Sequence, residues 1–277
     1  MRGMFTCGVI DILLENNITF DGAAGISAGA VFGCNFKSGQ IGRPIRYNKA
    51  YCRDPRYCSF RSLIRTGDLY GADFCYRELP EVLDPFDKAA FAENPMEFYI
   101  GATDVHTGKT VYHKCTDGGP VDTRWMQASA SMPLMARVVR VDGYELLDGG
   151  IGESVPYAYM EEIGYRHNVI ILTQPAGYRK EAPAVLPLFR IGLRKYPQLV
   201  KAMENRHIKY NQQMEEIRHK EQQGISLVIR PPEALKIGHT EHDPQELERV
   251  YQIGRAEAMR RLESVEAFLA EAKTPGE

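Results

Sequence analysis

The feature that most constrains this chain is the pentapeptide Gly25-Ile26-Ser27-Ala28-Gly29. The residues before it, Ile18 to Gly25, read as a short strand, and the small and apolar residues Ala28 to Phe36 suit a buried helix. Strand, sharp turn and helix in that order belong to a parallel sheet feeding a crossover, so the fold class is α/β. The pentapeptide matches G-x-S-x-G, a turn that lifts a serine to the head of the following helix. Free N–H groups and the helix dipole there favour negative charge, and the Ala28 N–H is placed to face a developing oxyanion. Glycines two residues either side of Ser27 are expected because side chains at Gly25 and Gly29 would clash where strand and helix meet. A Gly/Ser-rich turn of purely structural purpose would have the same sequence.

The rest of the chain extends this alternation. Gly3 to Glu15 carries Met4, Cys7, Val9, Ile10, Leu13 and Leu14 at near-helical spacing and should end at Asn16-Asn17. Strands are expected over 97–103, 110–113, 168–173 and 225–230, helices over 121–131 and 155–163, and a hairpin over 137–147 turning at Asp142-Gly143. The closing helix has Asp243 as N-cap, Pro244 at its first position and Glu246 to complete a capping box. Its stripe of Leu247, Val250, Tyr251, Gly254, Ala258, Leu262, Val265 and Leu269 should pack on the body of the protein. Residues 187–224 are helical and charged, with no role legible in them.

Composition narrows the function classes. The 34 Lys+Arg against 36 Asp+Glu leave a formal charge of −2, which argues against a dedicated nucleic-acid binder. No apolar run approaches the roughly 20 residues of a membrane-spanning helix. The six cysteines form no C-x-x-C pair and no zinc-spaced cluster, so core thiols in a reduced, cytoplasmic setting are expected. Between Ile41 and Arg65, seven basic residues (Arg43, Arg46, Lys49, Arg53, Arg56, Arg61, Arg65) face one acid, Asp54, with Tyr47, Tyr51, Tyr57 and Phe60 interleaved. Such a segment suits an anionic membrane surface, would also dock RNA, or is a solvated face neutralised by acids from elsewhere.

A serine hydroxyl needs a base. None of the seven histidines stands in an informative local pattern, although one of the later five would complete a Ser-Asp-His order. Asp148 in Leu147-Asp148-Gly149-Gly150 ends a predicted strand, and its two glycines let the backbone fold tightly beside a neighbouring group.

G-x-S-x-G followed by D-G-G resembles the patatin-like phospholipase family. Met1-Arg2-Gly3-Met4-Phe5 is similar to the end of that family's G-G-G-x-R-G oxyanion segment, and Ala128 to Pro133 to its A-S-x-x-x-P segment. The likeness covers about residues 1–175, with 176–277 as an extension similar to that of a bacterial subgroup. It implies a three-layer α/β hydrolase with a mostly parallel sheet and a helical C-terminal extension. By the same resemblance Ser27 is the nucleophile, Asp148 the base, and Arg2, Gly3 and Ala28 belong to the oxyanion segment. The substrate implied is a lipid ester, without metal or organic cofactor. The family places a strand and three glycines before the position of Met1. A form beginning there is therefore expected to be weakly active and to expose a sheet edge that favours association, with activity rising when those residues are present.

Overall fold

The computed structural model describes residues 1–184 and 186–272. In chain order the elements are α1 (Gly3–Glu15), β1 (Gly22–Ile26), α2 (Ala28–Lys37), α3 (Arg43–Tyr51), α4 (Phe60–Thr66), a π-helical segment (Phe74–Leu83) and α5 (Lys88–Glu93). There follow β2 (Glu97–Asp104), β3 (Thr110–Lys114), α6 (Pro120–Ser129), β4 (Val139–Val141), β5 (Tyr144–Asp148), a 3₁₀ turn (Gly149–Ile151), α7 (Tyr157–Glu162) and β6 (Asn168–Ile171). The remainder is α8 (Leu186–Gly192), α9 (Pro197–Gln222), β7 (Ser226–Ile229) and α10 (Pro244–Ala272).

The main sheet has the order β1-β2-β5-β4, with β3 also paired to β2, and β6 and β7 form a second sheet. The expected parallel character holds for the crossover pairs β1–β2 and β6–β7. The pairs β2–β3 and β2–β5 are antiparallel, and β4–β5 is antiparallel as the expected hairpin. Short connections are the reason for β2–β3 and β4–β5, since only a long crossover returns a chain parallel to itself. The β4–β5 turn has both Asp142 (φ 49°) and Gly143 (φ 80°) left-handed, the type I′ geometry that a two-residue hairpin prefers.

Strand alternation sends successive side chains to opposite faces. Phe98, Ile100, Ala102 and Leu146 join the main core with α1, α2, α6 and α10. Leu147 and Val105 turn the other way, onto Leu199, Ala202 and Met203 of α9. Helices thus cover both faces of the sheet. The closing helix packs along α1 so tightly that a Cβ at Gly254 would overlap the Phe5 carbonyl, and one at Gly8 the Tyr251 carbonyl. In that seam Tyr251 donates to Asp11 Oδ2 at 2.6 Å.

Several local expectations need adjustment. The first strand begins at Gly22 rather than Ile18. Asn17 is left-handed, and the Ile18 N–H returns to the Leu13 carbonyl at 2.9 Å, so Ile18 closes α1 instead of opening a strand. Asp243 does cap α10, accepting from the Gln245 N–H at 3.0 Å. The reciprocal half of the capping box is absent, because Glu246 turns to Arg249 and the Asp243 N–H goes to Glu241. All six cysteines are free thiols, five of them buried.

Candidate active site

Residues 27 and 148 meet because of where two strands stop. Both β1 and β5 pair with the same edge of β2, β3 taking the other edge, with Ile26 lying opposite Gly101 and Asp148 opposite Ala102. The two strands run in opposite directions yet end at adjacent positions of β2. A Cβ at Gly101 would press on Ile26, so β2 stays slim where β1 and β5 meet. Ser27 Oγ donates to Asp148 Oδ2 at 2.6 Å.

Ser27 holds φ 54° and ψ −117°, a conformation that costs a non-glycine residue about 1–3 kcal/mol. The strain is held by its surroundings. The Ser27 N–H donates to Ser129 Oγ at 2.8 Å, and Ser129 Oγ–H donates to the Gly101 carbonyl at 2.6 Å. Gly25 is required, since its Cβ would overlap the Gly29 backbone. Gly29 corrects the sequence expectation: a Cβ there meets nothing within 4 Å, because it points away from the strand. Ala28 and Gly29 open α2, so their N–H groups lack intrahelical acceptors. Gly3 packs onto the same turn, where an added Cβ would lie 2.9 Å from Ala28 Cβ. The N-termini of α1 and α2 therefore both direct the positive ends of their dipoles toward this corner.

Asp148 is held from four directions. Its N–H donates to the Ser131 carbonyl at 2.8 Å, and its own carbonyl accepts from Thr103 Oγ1 at 2.8 Å. Oδ1 accepts from the Gly150 N–H at 2.8 Å, leaving Oδ2 for Ser27. Gly149 is required because a Cβ would overlap the Gly101 carbonyl, while at Gly150 one would lie 3.0 Å from both Asp148 Oδ1 and Arg206 Nη2 and press those side chains apart. Burial raises the Asp148 carboxyl above its ordinary value, opposed by the Ser27 hydrogen bond and then by Arg206, Gly150 and Lys180. The carboxylate is thus a better proton acceptor than a solvated aspartate.

Ser129, Thr103, Lys180 and Arg206 were not legible as site residues. Ser129 lay inside the A-S-x-x-x-P resemblance, which was the one signal available. Arg206 reaches in from α9, where its Nε donates to the Gly150 carbonyl at 2.6 Å. Among the described residues no histidine nitrogen is hydrogen-bonded to Ser27; His106, His113 and His242 are bonded to Glu145, Asp122 and the Cys52 carbonyl.

Four of the seven basic residues are paired with acids, and of the seven only Arg43 is buried. Arg43 is buried on the Asp84 carbonyl and Asn35, Arg46 grips Asp84, Lys49 pairs with Glu248, and Arg56 with Asp54 and Glu78. Tyr47 and Tyr57 are core residues. What faces outward is α4, with Phe60 71% and Ile64 87% exposed beside Arg61 and Arg65. Elsewhere His113, Cys115 and Asp122 bring potential ligand atoms within 4.8 Å of one another. There Asp122 already accepts from His113 and three backbone N–H groups, a structural role that leaves little for a cation. No described helix is long and apolar enough to cross a membrane.

Residues 1–160 match the family described as Patatin-like phospholipase, and residues 196–270 match a domain of unknown function, DUF6363. An uncharacterised NTE family protein of Mycobacterium tuberculosis H37Rv is 30% identical over 161 residues, 57% of this chain and 42% of that protein. The uncharacterised protein YjjU of Escherichia coli K12 is 26% identical over 188 residues, 63% of this chain and 50% of that one. The chain thus matches about half the length of these curated relatives or less. It belongs to the patatin-like phospholipase family.

Proposed function

We propose that the protein is a lipid acyl hydrolase that cleaves carboxylic esters with Ser27 as nucleophile and Asp148 as base. The observation that carries this reading is the 2.6 Å hydrogen bond from a strained, elevated serine to a buried carboxylate. In the first half-reaction Ser27 Oγ attacks the ester carbonyl carbon as its proton passes to Asp148 Oδ2. The oxyanion faces the free N–H groups of Ala28 and Gly29, with the α1 terminus at Gly3 alongside. Asp148 then returns the proton to the departing alkoxide, leaving an acyl group on Ser27. In the second half, water gives its proton to Asp148 and attacks the acyl carbon, and Ser27 leaves with the proton restored.

The test is turnover of a fatty-acyl ester by Ser27→Ala, by Asp148→Asn and by single replacements of each histidine. The dyad reading expects losses of about 10²-fold or more for the first two and none of that size for any histidine. A histidine variant as dead as Ser27→Ala would instead indicate a triad. A wild-type protein without esterase activity would leave a lipid- or partner-binding role.

The same reading includes peripheral contact with an anionic bilayer through α4. Phe60 and Ile64, four residues apart, share one face, and Arg61 and Arg65 flank it. Exposed apolar side chains bordered by free cations suit the headgroup boundary, where each basic residue contributes about 1 kcal/mol.

A further inference from the structure

Positive charge is concentrated next to the dyad, and beyond the place of Arg2 in the expected oxyanion segment nothing so far assigns it a purpose. Arg2 comes from the start of α1, Lys180 from the loop after β6, and Arg206 from α9. Two of the three are held in place by the fold. Arg206 is bonded to the Gly150 carbonyl, so its guanidinium and the Asp148 carboxylate flank the same glycine. Lys180 is fixed through its main chain, whose N–H donates to Asn211 Oδ1 at 2.8 Å while its carbonyl accepts from Asn211 Nδ2 at 3.0 Å. Its ammonium lies 4.3 Å above the Tyr210 ring. Among the described residues none of the three cations has a carboxylate oxygen within 4.0 Å. This separates them from Arg43, Arg46 and Arg56, each paired with an acid.

The crowding has an electrostatic signature. The Lys180 ammonium is brought down to about 8, by burial first and then by Arg206 and Arg2, with Asp148 opposing them. His239 is lowered first by burial and then by Arg2, the chain's amino terminus, Arg206 and Lys180. One carboxylate, already occupied with Ser27, stands against three cations, two of them fixed by the fold. A fold that keeps like charges this close without acids between them is arranged for an anion that is supplied from outside.

We propose that Lys180 and Arg206, with Arg2, form a phosphate-binding subsite beside the dyad, which takes the phosphate of an acyl ester and holds a terminal phosphomonoester more tightly than a phosphodiester. A planar guanidinium and a point-like ammonium together suit the several oxygens of a tetrahedral phosphate. A monoester carries about −1.5 to −2 at neutral pH, closer than a singly charged diester to the surplus of three cations over one acid. Both Lys180 and Arg206 lie outside residues 1–160, and Arg206 lies within residues 196–270. The subsite therefore gives the C-terminal part of the chain a role in substrate choice. As a statement about substrates it rests on the hydrolase reading; as a statement about binding it does not.

Two measurements test it separately. In the first, the Ser27→Ala protein is titrated calorimetrically with glycerol 3-phosphate, inorganic phosphate and glycerol. Glycerol 3-phosphate is expected to bind and glycerol not, and Lys180→Gln or Arg206→Lys should each weaken binding by about tenfold. Arg206→Lys keeps a donor for the Gly150 carbonyl, and Lys180→Gln alters a loop, so melting temperature can confirm that each variant is folded. In the second, dioleoyl phosphatidate, phosphatidylcholine and dioleoylglycerol are offered in the same neutral detergent micelles. The expected order of kcat/KM follows headgroup charge, and Lys180→Gln should compress it toward equality. No binding of glycerol 3-phosphate, or affinity unchanged in both folded variants, overturns the subsite even if esters are hydrolysed. Inorganic phosphate binding as tightly, with no headgroup preference, overturns the assignment to substrate. Phosphate binding lost in the variants, with no ester cleaved, upholds the subsite and counts against the hydrolase reading alone.

Discussion

Asp148 shows how one residue's environment sets both chemistry and stability. Its carboxyl is raised by burial, so the folded chain binds a proton there more readily than the unfolded chain does. Stability therefore falls as pH rises from the ordinary 3.8 through the raised value, and the loss persists at neutral pH. Asp148→Asn removes that penalty. At pH 7 it should melt higher than wild type while losing about 10²–10⁴-fold in ester turnover, and below pH 3.8 the two melting curves should converge. Calorimetry across pH checks the first part. The wild-type acid limb should fall through a pKa above 3.8, since protonated Asp148 cannot accept from Ser27. At this scale the sequence was most informative: Ser27 and Asp148 were legible because their glycines mark turns. Gly29 was over-read, since the regular pattern concealed that only Gly25 faces backbone. Ser129 and Thr103 were not legible, because a serine or threonine that props another residue's backbone has no local signature.

At the scale of elements, periodicity and capping located most helices and strands, and the hairpin was visible from Asp142-Gly143. The pairing pattern was less so, because direction depends on which strands become neighbours. The α1–α10 seam yields a stability prediction. Gly254→Ala places a methyl group in the Phe5 backbone and should lower stability by about 2 kcal/mol or more, read as a fall in melting temperature; an unchanged Tm would mean the helices do not approach this closely. Glu246 illustrates the limit of local rules, for the capping box was correct in pattern, but Arg249 captured the carboxylate. The basic stretch around α3 depends on partners distant in sequence in the same way, as expected for a solvated face neutralised by acids from elsewhere. Its acids, Asp84, Glu78 and Glu248, lie 22–199 residues away from their partners. Only α4 is left for a membrane. Replacing both Phe60 and Ile64 with Asp should abolish co-sedimentation with vesicles containing phosphatidylglycerol, and raising salt should weaken wild-type binding. Binding untouched by either change would remove α4 from the account.

For the whole molecule, a formal charge of −2 says little about where charge resides. The fold gathers Arg2, Lys180 and Arg206 from separate parts of the chain to one corner, which no composition or window of sequence could display. It also brings α9 and α10 against the sheet and against α1, so the C-terminal part completes the core and reaches the dyad. Everything chemical in the account depends on Ser27 being activated in that setting. Incubation with a fluorophosphonate probe, followed by peptide mapping, tests this most directly. The account predicts a single modified serine at position 27, lost in Ser27→Ala and slowed by at least about 10²-fold in Asp148→Asn. Labelling of another residue, or labelling of equal rate in all three proteins, would contradict it.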